Sequence, residues 1–153
     1  MTDSTTNKTN SKAELIADVE IVLAQLSSDH PIRTAWSQTL EFLEKNRVRS
    51  YYIHTQADYW NIGILTSNMI FDIEYPSPTG TAALTTVRLR TLDRLMVNWG
   101  PFPTIRYGST ALLSFLVVGS DGQIGSYWTA QTENDVERLR VFANAVLKAQ
   151  LEE

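Results

Sequence analysis

The chain contains no cysteine among its 153 residues. Without cysteine there is no disulfide framework, no thiolate zinc site and no cysteine nucleophile. The first twelve residues, MTDSTTNKTNSK, also lack the apolar core of a secretory signal peptide. These two absences predict a cytoplasmic location.

Long hydrophobic runs and an excess of basic residues are also missing. The longest apolar run, TALLSFLVVG at Thr110–Gly119, has about ten residues, whereas a membrane-spanning helix needs about twenty. The formal net charge is −4 and the isoelectric point is near 5.2, which disfavours a general nucleic-acid binder because phosphate contacts need a basic surface. We therefore expect a soluble protein with no integral membrane segment and no nucleic-acid partner.

Catalytic and cofactor motifs are sparse. The segment GPFPTIRYG, residues 100–108, has neither the phosphate-loop spacing nor the dinucleotide fingerprint. The two histidines, His30 and His54, have no metal-ligand spacing, and a general base at His54 would need a carboxylate such as Asp58 across the following turn. The sequence thus predicts a protein that is not an enzyme and uses no cofactor or metal.

Apolar spacing and turn residues predict an α+β fold in one domain, residues 11–151, after a disordered tail at residues 1–10. A capping box of Ser11 and Glu14 is expected to start the first helix, and the turn at residues 27–31, where Asp29 or His30 can act as a cap, starts the second. The pair occupies residues 11–47. Seven antiparallel strands follow, at about 48–56, 59–66, 69–75, 84–91, 94–99, 110–119 and 123–130. A helix capped by Thr132 closes the domain.

Three segments carry a resemblance to a known family: YWNIGILTSNMIFDIEY, TVRLRTLDRLMVNW and the last hairpin with the helix that follows it. Residues 48–151 resemble a pleckstrin-homology-like (PH/GRAM-type) domain. That resemblance implies a seven-stranded, partly open barrel or sandwich of two sheets, capped by the C-terminal helix. Inositol-phosphate binders of that family carry a basic run on the first two strands, whereas this chain reads RSYYIHTQADYWN there.

A secretion-chaperone-like α+β dimer is the rival topology, in agreement with the size, the acidity and the terminal helices. It requires a helix between the third and fourth strands, where PSPTGTAALTTVRLR offers poor helix formers.

Four arginines, Arg88, Arg90, Arg94 and Arg106, form the best basic cluster and could hold a phosphate or a carboxylate. A structural alternative pairs two of them, Arg88 and Arg90, with acidic residues across strands and leaves Arg94 and Arg106 unassigned. If the third and fourth strands pair with Glu74 opposite Arg88, then Asp72 falls opposite Arg90. These two acidic and two basic side chains would all face solvent. The sequence favours this pairing over an anion site.

The loop at residues 100–109 combines prolines with residue types that are enriched at protein interfaces. We predict a non-enzymatic protein-binding module, such as an adaptor, chaperone or assembly factor, that recognises another protein. The binding residues proposed on this basis are Phe102, Arg106, Tyr107 and Arg94. A plug, in which Phe102 and Tyr107 fold back over the barrel mouth, is the alternative role of this loop.

Two further alternatives stay open at this stage. The helix pair adds apolar surface to a small barrel and could mediate a homodimer. A cavity lined by Trp60, Trp99 and Trp128 would instead make the barrel a small apolar ligand or lipid binder.

Overall fold

Two antiparallel sheets and three helices form the protein in a computed structural model, which describes residues 3–56, 59–103 and 110–152, with side chains from residue 11 onward. The helices are α1 (Asp3–Leu23), α2 (Pro31–Leu43) and α3 (Glu133–Leu151). The strands are β1 (Ser50–Gln56), β2 (Tyr59–Leu65), β3 (Met69–Tyr75), β4 (Ala83–Arg88), β5 (Leu92–Pro103), β6 (Thr110–Gly119) and β7 (Ile124–Ala130). A single 3-10 turn, Leu89–Thr91, joins β4 to β5.

Strands β1 to β4 form sheet A in sequence order, and β5 to β7 form sheet B in sequence order. The α+β class, the strand number and the closing helix predicted from the sequence are confirmed. No backbone pairing within the described residues joins the two sheets, so they do not close into one barrel.

Sheet A is the middle layer. One face packs against the helix pair, with Ile62, Ile64 and Phe71 touching the apolar stripe that contains Leu15, Val19 and Trp36. The opposite face, which we call the inner face, meets sheet B and α3 through Tyr52, Leu65 and Ile70. Every residue of β2 is buried because both of its faces are covered.

The predicted helix starts are confirmed at two of three positions. The His30 side chain caps α2 by accepting from the Ile32 N–H at 3.2 Å, and Thr132 caps α3 by accepting from the Asp135 N–H at 3.2 Å. The first start is wrong, since α1 begins at Asp3 rather than at Ser11 and so includes residues assigned to a disordered tail. The sequence did not indicate this earlier helix start, because residues 3–10 are polar and show no apolar periodicity.

The predicted pairing of Glu74 with Arg88 and of Asp72 with Arg90 is wrong. In the structure Arg88 lies opposite Met69, Asp72 opposite Thr85 and Glu74 opposite Ala83. A compact turn sets this register, with the Ser77 N–H donating to the Thr81 carbonyl at 2.7 Å. Asp72 does not face solvent, since it is only 8% exposed and accepts from Asn61 Nδ2 at 2.7 Å.

The connection between β3 and β4 has no helix in residues 76–82, all of which the structure describes, so the secretion-chaperone-like topology is wrong. None of the helices in the described residues is both long and apolar enough to span a membrane.

Position 63 on β2 requires glycine, because two aromatic rings approach the strand closely there. A Cβ atom there would lie 2.7 Å from Trp128 Nε1 and 2.9 Å from Phe142 Cζ, two rings held in the inner core. We expect Gly63→Ala to lower the free energy of unfolding by about 1–3 kcal/mol, because the rings must shift in a packed interior. Urea unfolding measures this effect.

Gly125→Ala is the matched control on β7, since its Cβ would meet nothing closer than 3.6 Å. We expect this variant to change stability by less than about 0.5 kcal/mol. Equal effects of the two variants would contradict the packing described for Gly63.

Candidate protein-binding surface

The outer face of sheet B is the face turned away from sheet A. Cross-strand partners in a sheet share a face, so Leu113, Phe115 and Val117 of β6, which belong to the core between the sheets, define the inner side. The alternate residues of β6 point outward: Thr110, Leu112, Ser114, Leu116 and Val118. Helix α3 packs on the inner side, through ring contacts of Phe142 with Phe115 and Trp128.

The outward positions of β6 are apolar where a solvent-facing strand normally alternates to polar residues. Leu112 and Leu116 are half-buried, and their neighbour Met96 on β5 is half-buried as well. None of these three residues belongs to either hydrophobic core of the protein. A patch of apolar side chains therefore lies on a sheet face that none of the three helices covers.

Polar groups at the centre of this face are satisfied by each other. Asn98 Nδ2 donates to Ser114 Oγ at 3.3 Å, across the β5–β6 pair. Ser114 and Thr129 lie opposite each other and are both buried, although no helix covers them. The flanking side chains supply this burial, so the face is locally desolvated at Ser114 and Thr129.

Strand β5 is one of the two edges of sheet B, because its only strand partner in the described residues is β6. The predicted binding residue Arg94 lies on this edge and is exposed. Trp99 on the same strand is 73% exposed, which is unusual for the largest apolar side chain. Sequence reasoning missed Trp99 as a surface residue, because it considered Trp99 only as a lining residue of a cavity shared with Trp60 and Trp128.

Phe102 is half-buried and pairs with Ala111, after a register shift that follows Trp99. A Cβ atom on Gly100 would lie 2.8 Å from the Phe102 ring, so this ring packs over its own strand. The other two predicted binding residues, Arg106 and Tyr107, lie outside the described residues. Both proposed roles of the 100–109 loop therefore stay predictions.

The three tryptophans proposed to line one cavity are far apart in the packing. Trp60 belongs to the core under the helix pair, Trp128 belongs to the core between the sheets, and Trp99 is exposed. The alternative of a small apolar ligand or lipid binder required these three side chains to converge on one cavity, which the structure does not show.

The helix pair is also not a free surface. Its apolar stripe is buried on sheet A, and Arg33 Nη2 ties the two helices by donating to the Leu23 carbonyl at 2.5 Å and the Leu26 carbonyl at 2.9 Å. The homodimer expected through this pair stays a prediction. Because sheet A covers the apolar stripe, less apolar surface of the helices is left for a second copy than the sequence suggested.

His54 is the best candidate for acid–base chemistry, and its surroundings argue against that role. It lies on the inner face of sheet A and is 3% exposed, so a substrate in solvent does not reach it. Its Nδ1 atom is 3.9 Å from Asp135 Oδ2, which is longer than a hydrogen bond. The expected partner, Asp58, lies outside the described residues. Burial lowers the pKa of His54, the Asp135 carboxylate opposes this shift, and Arg138 adds to it.

Metal binding has no more support than acid–base chemistry. Across residues 3–56, 59–103 and 110–152, no three His, Asp or Glu side chains lie close enough together to hold a metal ion.

Neither a protein-family model nor a curated protein matches this chain. Among solved structures, it is similar to the hSac2 domain from human phosphoinositide phosphatase Sac2. The likeness has a TM-score of 0.51 and 14% sequence identity, and it covers 84% of this chain and 86% of that chain. At this identity the likeness shows the fold alone.

The resemblance to a pleckstrin-homology-like domain is therefore wrong, because the solved structure reported above is an hSac2 domain rather than a PH domain. Strand order and alternation carried the resemblance. Those features determine which faces are buried, and they do not specify a family.

The buried His54 predicts a pH dependence of stability. Its pKa is lower in the folded protein than the unfolded value of about 6.5, so below that pH the unfolded chain binds more protons. The free energy of unfolding should fall as the pH drops below about 6.5, by at most about 1.4 kcal/mol per pH unit from this group. Urea unfolding between pH 7.5 and 5 of the wild type and of His54→Gln measures it. Identical pH slopes would show that His54 is not the group responsible.

Proposed function

We propose that this chain is a non-enzymatic protein-binding module that docks another protein on the outer face of sheet B. The observation that carries the proposal is the apolar outward row of β6, which includes Leu112 and Leu116. A strand that is apolar on both faces is typical of one that is covered on both sides. Strand β2 has this pattern and is covered twice, whereas the described part of β6 is covered by α3 on one side only.

Area and charge indicate what kind of partner fits. Three strands about 4.8 Å apart and about 30 Å long present roughly 430 Å², less than the roughly 800 Å² per partner of a standard interface. The contact must then extend around the β5 edge to reach Trp99, which shares the inner side of sheet B with its partner Leu113 but is exposed at this edge. Tryptophan is a side-chain type common at interface hot spots.

The rim of the surface carries a cation, since Arg94 is exposed and forms no ion pair within the described residues. No outward position of β6 or of the paired part of β7 is acidic. On these two strands a second copy of the chain would offer no carboxylate to Arg94, although Asp93 is exposed beside Arg94 on β5, so the charge of β6 and β7 favours a different protein with an acidic rim. A cytoplasmic location is part of the same proposal.

A photo-crosslinking amino acid at position 116 tests the proposal, with the same amino acid at position 141 as the matched control. Val141 is 57% exposed on α3, outside the proposed surface. We expect an adduct of discrete mass from position 116 in cell extract and none from position 141. Adding Leu112→Glu should lower the yield about tenfold or more, because it buries an unpaired charge in the contact.

Light scattering of the purified chain separates the two kinds of partner. A monomer that forms adducts only in extract supports a different protein, whereas an adduct of twice the chain mass from purified protein identifies a second copy. Equal adduct yields from positions 116 and 141, or no effect of Leu112→Glu, would contradict the proposal.

A further inference from the structure

Two arginines of the basic cluster share one concave surface. Arg88 ends β4, Arg90 lies in the 3-10 turn that follows, and Asn68 lies in the turn between β2 and β3. These three residues and Met69 line a concavity of about 260 Å³ at the corner of sheet A. We refer to it as the arginine corner.

The backbone holds the arginine corner in place. Leu89, between the two arginines, is fully buried in the inner core and anchors the strand end. Its N–H donates to the Asn68 carbonyl at 3.0 Å, which ties the turn between β2 and β3 to the start of the 3-10 turn. The Thr66 N–H closes that turn by donating to the Met69 carbonyl at 2.9 Å. The three polar side chains therefore project from a backbone that is already ordered.

The charges of the arginine corner are not balanced by the protein. Among the described residues no carboxylate forms an ion pair with Arg88 or Arg90. Other arginines of the chain are partnered, with Arg49 on Glu152, Arg138 on Asp135, Arg140 on Glu137, and Arg33 on backbone carbonyls. The chain has 17 acidic and 13 basic side chains, yet within the described residues no acid pairs with these two neighbouring cations. Such cations repel each other unless an anion lies between them.

We propose that the arginine corner binds a phosphate monoester. Guanidinium groups present paired N–H donors that match the oxygens of a phosphate, and the Asn68 amide supplies a further donor. A volume of 260 Å³ is below the roughly 300 Å³ of the smallest pockets for drug-sized ligands, so the corner accommodates a small anionic group. The group can be presented by a soluble metabolite or by a lipid headgroup at a membrane surface.

Titration of the full chain with glycerol 3-phosphate tests the soluble source, with amide chemical shifts of Arg88, Leu89 and Arg90 as the readout. Sedimentation with phosphatidylcholine vesicles containing phosphatidic acid tests the lipid source, against vesicles containing phosphatidylserine, which carries a phosphate diester. We expect saturable binding in at least one arm, weakening as salt is raised. The arm in which it occurs identifies the source.

Arg88→Gln/Arg90→Gln should weaken that binding about tenfold or more, since two charge-assisted donor sets are lost. The matched control, Arg140→Gln/Lys148→Gln, removes the same charge from exposed positions on α3 and should leave binding within about twofold. Thermal melting confirms that both variants are folded. The proposal is overturned by equal losses in the two double variants, by equal affinity for acetate, or by no binding in either arm up to about 10 mM phosphate monoester.

Discussion

The burial of sheet A on both faces is the constraint on which the rest of this structure depends. Strand β2 has no exposed residue, because the helix pair covers one side and sheet B with α3 covers the other. Gly63 lets the Trp128 and Phe142 rings approach the strand closely. The polar residues of the inner face, such as Asn61 and Asp72, are tolerated there because they hydrogen-bond to each other. All three helices therefore take part in covering the two faces of sheet A, α1 and α2 on one face and α3 on the other.

No helix is then left for the outer face of sheet B, and this asymmetry supports the proposed function. The outward row of β6 has the apolar composition of a covered strand, yet none of the three helices covers it. Exposed apolar sheet faces favour association, and natural proteins usually keep them for a partner. The β5 edge beside this face, with Trp99 and Arg94, adds an aromatic and a cation of the kinds that interfaces use.

The arginine corner follows from the same register that removed the expected ion pairs. Once Arg88 lies opposite Met69, no acidic side chain of β3 shares its cross-strand position. The protein then has two surface cations, Arg88 and Arg90, on either side of the buried residue Leu89. Their proposed role is separate from that of the apolar face of sheet B. A protein-binding face and an anion site on one small domain would let it respond to two kinds of ligand independently.

The sequence by itself determined the elements: the α+β class, seven strands, the caps at His30 and Thr132, and the apolar stripes of the helices, because period and capping are local properties of the chain. It also contained the clue to the candidate surface, the apolar run of β6, which only Ser114 interrupts between Ala111 and Val118. Only the tertiary structure decided the β3–β4 register, the inward position of Asp72 and the exposure of Trp99. Alternation separates the two faces of a strand but does not show what covers each one, and when both faces are covered the pattern no longer distinguishes inside from outside.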